Sequence, residues 1–280
     1  AVMIGFREEF TDRILGANAH VSVYAANYED ENGAVSRLIR DYDAVVAELA
    51  KVPGVTHAAP LIRGQVMASA NGRNTGIDLR GQRLDDIQAL PLIGMPERAS
   101  GDLARLGEGI ALGSGIARDL GVFVGDIVTI ISPDGVQTAF GATMPRLNDY
   151  EVVYIFSVGR FDIDQSRAYI PMHEAQLFFD REGAADEIEV LVQEPGNIDA
   201  YRAPLSEAIG PARFLWSWQD SQGAILSALD IERRTMFIIL SLVVLIAALN
   251  IISGLVMLWR PSWATRRRTI SFSSLKPGMP

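Results

Sequence analysis

The chain has 280 residues, with 34 Asp and Glu against 25 Lys and Arg for a formal net charge of −9, and 49% of its residues are hydrophobic. It contains no cysteine, which excludes disulfides and thiolate metal sites. The acidic balance disfavours anionic partners and removes nucleic acid from the functional classes.

In chain order, Ala1-Val2 stands where a Met would open a complete protein, and no signal-peptide n-region is present, which reads as part of a longer protein. Val2, Met3, Phe6, Phe10 and Ile14 recur at three- and four-residue spacing between charged residues, predicting an amphipathic helix closed by Gly16. Its apolar opening equally suits the end of a preceding membrane helix. Residues 20–25 alternate as a strand and residues 41–51 read as helix. Pro53-Gly54 leads into a long extended stretch at 55–70, and Asn71-Gly72 predicts a hairpin into 76–81. Residues 85–106 carry Pro91, Gly94, Pro96 and Gly101 and read as a loop.

A strand at 109–112, a helix at 114–120 and a turn at 124–126 follow. A second hairpin is expected between 127 and 158, with strands at 127–132, 136–140 and 150–158 and a tip at 141–148. Strands at 168–171, 187–193 and 212–216 alternate with helices at 173–179 and 198–209. Asp220 can N-cap a helix with no breaker before the membrane segment. The mixture of strands and helices is an α+β domain, built as one large domain or two smaller subdomains.

Residues 235–259 hold no charge, so as a helix they reach roughly 37 Å, more than the ~30 Å hydrocarbon core of a bilayer. All acidic residues precede this segment, while Arg260, Arg266, Arg267, Arg268 and Lys276 follow it. This asymmetry predicts a cytoplasmic tail and an acidic domain outside the cytoplasm.

Chemical motifs are scarce. The glycines between Gly107 and Gly113 flank a strand with one residue too many for a dinucleotide fingerprint. Leu112 occupies the first-glycine position before Gly113-Ser114-Gly115, so this is no nucleophile elbow, and Ser114 starts a helix instead. His20, His57 and His173 lack metal-ligand spacing, and no P-loop occurs.

An ordered set of short segments carries a resemblance: residues 1–6, Arg13-Ile14-Leu15-Gly16 and His20, then Gly115-Ile116-Ala117, Leu120-Gly121 and Val124-Gly125-Asp126. Thr138-Ala139-Phe140-Gly141 to Pro145-Arg146, Val158-Gly159-Arg160-Phe161, Glu174-Ala175-Gln176, Trp216-Ser217-Trp218, Met236-Phe237 and Asn250-Ile251-Ile252-Ser253 continue it. Together they resemble the lipoprotein-releasing permeases, the LolC/LolE family. The resemblance implies a periplasmic domain of the macrolide-exporter type, with two subdomains, inserted between membrane helices of a bacterial inner-membrane permease. On that basis residues 1–18 end a first membrane helix, 19–219 form the periplasmic core, 220–259 a helix entering the membrane and 260–280 an atypical basic tail.

The resemblance further implies no catalytic residues and no cofactor on this chain, with ATP used by a cytosolic ATPase subunit. Other implied partners are a second permease copy or paralogue, a periplasmic lipoprotein carrier, lipoproteins and membrane lipids. It makes Phe140, Gly141, Met144, Pro145 and Arg146 a hook that holds the carrier. Met3, Phe6 and Phe10, facing Met236, Phe237 and Leu240, become the lateral entrance for acyl chains. The chain departs from the family after Leu258, where a truncated or frame-shifted end is the expectation. Rival readings are a membrane-anchored binding or sensor domain, and an exporter or cell-division permease of the same superfamily. The exporter carries its ATPase on one chain, and the cell-division protein is expected to have a smaller outer domain.

Overall fold

The computed structural model describes residues 18–26, 28–29, 35–96, 98–137 and 143–258. They divide into two compact units, 1–221 and 222–280. The opening helix, the centre of the hairpin tip and the basic tail lie outside the described residues.

In the first unit the strands are β1 (Val21–Ala25), the short pair β2 (Tyr28–Glu29) and β3 (Val35–Ser36), β4 (Val55–Ala70), β5 (Arg73–Gln82), β6 (Arg98–Gly101) and β7 (Gly109–Gly113). They continue with β8 (Ile127–Gln137), β9 (Thr143–Ser157), β10 (Arg167–Pro171), β11 (Glu187–Val192) and β12 (Arg213–Ser217). The helices are α1 (Tyr42–Leu49), α2 (Leu84–Gln88), α3 (Pro91–Gly94), α4 (Ser114–Leu120), α5 (Phe161–Asp164), α6 (Met172–Phe178) and α7 (Asp199–Ile209). Apart from β2 and β3, the described strands form one sheet in the order β12-β1-β11-β4-β5-β10-β7-β9-β6, with β8 paired to β4 and β9.

β4 is shared. Its early residues pair with β11, its later ones with β5 and β8. Since β8 pairs β9, β9 pairs β7 and β10 joins β7 to β5, these pairings return to β4 and leave no free edge on that circuit. Strand alternation then sorts the side chains. Val21, Val23, Ile188 and Val190 face α1 and α7, whose Val45, Leu49, Leu205 and Ile209 complete one buried cluster. Ile62, Leu79, Leu112, Ile130, Val152 and Ile170 pack with Ile116 and Leu120 of α4 and with Met172, Ala175 and Phe178 of α6. Each such aliphatic side chain stabilises the fold by about 1.5–3 kcal/mol when fully buried.

The loop expected at 85–106 is corrected. That stretch holds α2, α3, β6 and a 3-10 turn at Leu103–Glu108. Pro91 stands at the start of α3, where its missing N–H costs nothing, so it marks a helix start rather than a loop. Ile87, Leu90 and Ile93 recur three apart and are buried with Leu103, Leu106, Phe156 and Tyr169 in a further cluster.

The hairpin is also longer than expected. The strands expected at 127–132 and 136–140 fall on β8 as far as Gln137, and the one expected at 150–158 falls on β9, which starts at Thr143, so Met144, Pro145 and Arg146 lie on an arm and not on the tip. Within the described residues the other expected elements occur near their predicted places, β5 starting at Arg73 and not at 76, and β12 lies at one end of the strand order.

The last helix, α8 (Trp218–Leu258), begins in the first unit, and its residues from Gln222 on are the described part of the second. Within it, Arg234–Met257 is 24 residues long with mean hydropathy 2.7, long and apolar enough to cross a bilayer. Its large apolar side chains, Phe237 and Leu245 among them, are exposed, as expected of a helix with no polar face.

Candidate functional site

The β8–β9 hairpin carries the predicted hook. Its ladder runs regularly from Ile127↔Glu151 to Ser132↔Arg146, shifts, and resumes at Val136↔Met144. Met144 is 62% exposed. Pro145 is exposed as well, whereas Arg146 turns back toward the body of the domain. Its Nη1 donates to the carbonyls of Phe178 (2.8 Å) and Leu177 (3.3 Å) at the end of α6, and Nη2 lies 3.5 Å from the Asp180 carboxylate. Phe140 and Gly141 lie outside the described residues.

α6 is a firm base for this contact. A Cβ on Gly81 of β5 would stand 2.1 Å from the Ala175 Cβ, and one on Gly64 of β4 would stand 2.3 Å from the Phe179 ring. The helix therefore sits closer to the sheet than any side chain at those two positions allows.

On the opposite face of the sheet lies a charge cluster that the sequence reading missed. Alternation places Arg63, Asp78, Arg80, Gln82, Arg167, Glu187 and Glu189 on that face. Arg80, 5% exposed, donates from Nη1 to Glu189 (3.0 Å) and from Nε to Asp78 (3.1 Å); Gln82 donates to the other Glu189 oxygen (2.8 Å). Arg63 donates to Asp78 at 2.8 Å, and Arg167 to Asn18. Arg80, Asp78 and Glu189 are thus matched, which offsets much of the cost of desolvating them, whereas Glu187 Oε2 and Gln82 Oε1 are buried without a hydrogen-bond partner among the described residues. Burial, then the adjacent Glu189 charge, pushes the Glu187 carboxyl above its usual range. Burial and the Glu187 charge push the Tyr24 hydroxyl up as well. Burial would also raise Asp78, but Arg80 and Arg63 together hold it below its usual value. The bonds from β5 to Glu189 cross β4 and tie together the parts of the sheet on either side of it.

The start of α8 forms a joint. Asp220 does not N-cap the helix; Ser217 does. Its Oγ accepts from the Asp220 N–H (3.3 Å), while the Asp220 carboxylate accepts from the Ser217 N–H (2.9 Å), a reciprocal capping box. Helix period shifted the expectation, because β12 ends at Ser217 and hands the cap to the last strand residue. Arg202 of α7 donates to both Asp220 oxygens (2.9 and 3.0 Å) and to Ser217 Oγ (2.9 Å). Burial would raise Asp220, yet Arg202 and Ser217 hold it below its usual range. Trp218 adds two bonds, from its indole N–H to the Pro195 carbonyl (2.9 Å) and from its backbone N–H to the His20 carbonyl (3.0 Å).

Farther along α8, Met236, Phe237 and Leu240 are 62%, 70% and 63% exposed. Met3, Phe6 and Phe10, expected opposite them, lie outside the described residues. Thr235 and Ser241 donate their hydroxyls to the carbonyls of Ile231 and Phe237, both at 2.8 Å, so neither hydroxyl is left open to an apolar medium. The histidines have separate structural partners. His20 Nδ1 accepts from the Val192 N–H (2.9 Å), His57 pairs with Asp86 of α2 (2.9 Å), and His173 is exposed beside Glu174 (3.7 Å).

Residues 1–208 match the family described as the MacB-like periplasmic core domain. The lipoprotein-releasing system transmembrane protein LolC of Neisseria meningitidis is 29% identical over 260 residues, 92% of this chain and 60% of that protein. The corresponding LolE of Haemophilus influenzae is 23% identical over 262 residues, 92% of this chain and 61% of that protein. Among solved structures, the periplasmic region of MacB from Actinobacillus actinomycetemcomitans is 13% identical and aligns with 78% of this chain and 97% of that one, at a TM-score of 0.47. The chain spans about three-fifths of the length of the curated relatives it matches, 60% and 61%. It belongs to the family of the MacB-like periplasmic core domain, and its resemblance to the LolC/LolE permeases holds across 92% of its length.

Proposed function

We propose that this chain is part of the membrane subunit of an ATP-driven ABC transporter that extracts lipoproteins from the bacterial inner membrane and passes them to a periplasmic carrier. The observation that carries the reading is its similarity, along 92% of its length, to LolC and LolE, proteins named for lipoprotein release. ATP hydrolysis belongs to a separate cytosolic subunit, and a second permease copy or a paralogue completes the membrane part. Residues 220–259 enter and cross the inner membrane, residues 19–219 form the periplasmic domain, and 1–18 and 260–280 are the end of a first membrane helix and a cytoplasmic tail. The separate clusters around Val23 and Leu205 and around Leu79 and Ile170, joined through β4, support two subdomains in the periplasmic part.

Physical chemistry fits the task. Each acyl CH₂ moved from lipid into water costs about 0.8 kcal/mol, so a lipoprotein anchor needs apolar contact along its whole route. The exposed Met236, Phe237 and Leu240, together with Met3, Phe6 and Phe10, supply it at the entrance, Met and Phe giving adaptable contact. Phe140, Gly141, Met144, Pro145 and Arg146 form the hook that receives the carrier. The exposure of Met144 supports that assignment. The joint at Ser217, Asp220 and Arg202 supports a mechanical role, because a capped and braced helix start passes movement on without unwinding.

A photocrosslinker at Phe237 in the full-length permease, reconstituted with its ATPase, tests the lateral route. Capture of acylated lipoprotein in preference to its unacylated form is the expected result. Capture of permease segments alone would overturn the route and leave those residues as packing.

A further inference from the structure

We propose that the notch where β8 parts from β4 is a binding site for an acyl chain of a lipoprotein. The inference rests on the proposed role in lipoprotein release and places one contact of that route on the outer face of the domain.

Strand pairing creates the notch. β8 pairs with β4 only from Ser69↔Thr129 to Met67↔Ile131, yet it stays with β9 as far as Ser132↔Arg146. Past Ile131 the hairpin therefore leaves β4, while β4 and β5 continue together to Ile62↔Gly81. The space between them holds about 730 Å³, within the usual range of small-molecule sites. Gly76 keeps it open. It stands opposite Met67 on β5, and a Cβ there would meet nothing within 4 Å. A glycine inside a strand gives up side-chain packing and marks places where another molecule comes close to the backbone.

The lining sets the kind of ligand. Gly76, Met67, Ile131 and Leu147 are cross-strand neighbours in one row over four strands, with Met67 and Leu147 exposed, and Pro133 adds an apolar wall from β8. The next row on the same face is polar: Gln65 stands opposite Asp78, and the Asp78 N–H donates to the Ser166 carbonyl (2.6 Å). Arg63 (2.8 Å) and Arg80 (3.1 Å) donate to the Asp78 carboxylate and neutralise it. An apolar row beside a polar one fits an amphiphile, its chain on the first and its linkage at the second. Among the described residues no Lys or Arg lines the notch, so the polar row suits the uncharged amide or ester linkage of an acylated cysteine and not a phosphate head group. A peptide strand is a poor occupant. The Arg63 N–H already donates to Asp186 (2.7 Å) and the Arg63 carbonyl accepts from Arg181 (2.9 Å), which leaves too short an edge between Arg63 and Met67 for an added strand.

The test uses the full chain in lipid nanodiscs and a peptide with a palmitoylated cysteine that carries a diazirine midway along its acyl chain. After photolysis, mass spectrometry should place labels in the notch, at Met67 or Ile131. Gly76→Leu fills open space without displacing a neighbour and should lower labelling about tenfold, the equivalent of about two methylenes losing their contact. Met67→Gln keeps the side-chain length, makes the row polar and should lower it as well. Gly196→Leu also points into open space, on the 3-10 turn Pro195–Asn197 away from this lining, and should leave labelling unchanged. No label in the notch of the unsubstituted chain, or equal labelling in Gly76→Leu and Met67→Gln, overturns the site. Equal labelling by a phospholipid with the same diazirine overturns the lipoprotein as its occupant. Labelling of the notch in a permease that transfers no lipoprotein to the carrier would keep the site and overturn the transport reading, and transfer without such labelling would do the reverse.

Discussion

At Gly81 the space beside the sheet is already filled by Ala175, with 2.1 Å between that methyl and any added Cβ. Gly81→Ala should therefore push α6 outward and destabilise the domain by about 1–3 kcal/mol, the usual cost of overpacking. Ala175→Gly in the same chain should restore most of it. Urea unfolding followed by tryptophan fluorescence checks both, and a double variant no better than the single one would contradict the packing account. Glu187 gives a prediction of another kind. Its folded pKa is raised by burial and by Glu189, so the folded chain keeps a proton that the unfolded chain releases. The contribution is full below the unfolded value, roughly pH 4, and is lost as pH rises through the folded value. Glu187→Gln has no such proton to lose, so its stability relative to the parent should increase as pH rises. A difference that stays constant with pH would refute the assignment.

The same residues show where the sequence was legible. Polar alternation at Asp78, Arg80 and Gln82 and at Glu187 and Glu189 is plain in the sequence, but period-two polarity normally marks a face open to water. Here α2, tied to β4 by His57 and Asp86, lies on that face, and α2 is part of the stretch read as a loop. One error led to the other: without the short helices there was nothing to cover the charges. Short helices of four or five residues leave no periodicity to read, whereas the apolar alternation of β1, β8 and β11 and the long apolar run of α8 were readable at once.

Among the elements, the joint between β12 and α8 is held by a few polar atoms. Ser217→Ala removes the helix cap and one acceptor of Arg202, and should cost about 1 kcal/mol. Asp220 adds a pH dependence of opposite sign to that of Glu187. Its lowered folded pKa gives stability that is present above the unfolded value and lost as pH falls through the folded one. Asp220→Asn should flatten that acid limb of the stability profile, and an unaltered limb would show that the Arg202 contact carries no weight. The hairpin makes a binding prediction. Met144→Asp places a charge where an apolar anchor is proposed, and loss of ~2 kcal/mol at such a position weakens carrier binding about thirtyfold. Calorimetric titration checks it, and unchanged affinity in a folded variant would remove the hook. The arms of this hairpin were legible from alternation, but Pro145 read as a tip residue because a proline inside a strand is tolerated only at edges and bulges.

For the molecule as a whole, an acidic α+β domain and an uncharged helix share one chain, and the described residues show no cluster of acidic and histidine side chains able to hold a metal. The proposed function is mechanical and rests on the apolar surface of α8, a docking hairpin and a domain braced by buried ion pairs. The measurement that tests it most directly is lipoprotein release. Full-length permease carrying this sequence, reconstituted in proteoliposomes with its ATPase and an acylated lipoprotein, should transfer that lipoprotein to the soluble carrier when ATP is added. Met144→Asp should abolish transfer while ATP hydrolysis continues. Transfer that proceeds equally well with Met144→Asp, or no ATP-dependent transfer in the unsubstituted system, would contradict the account.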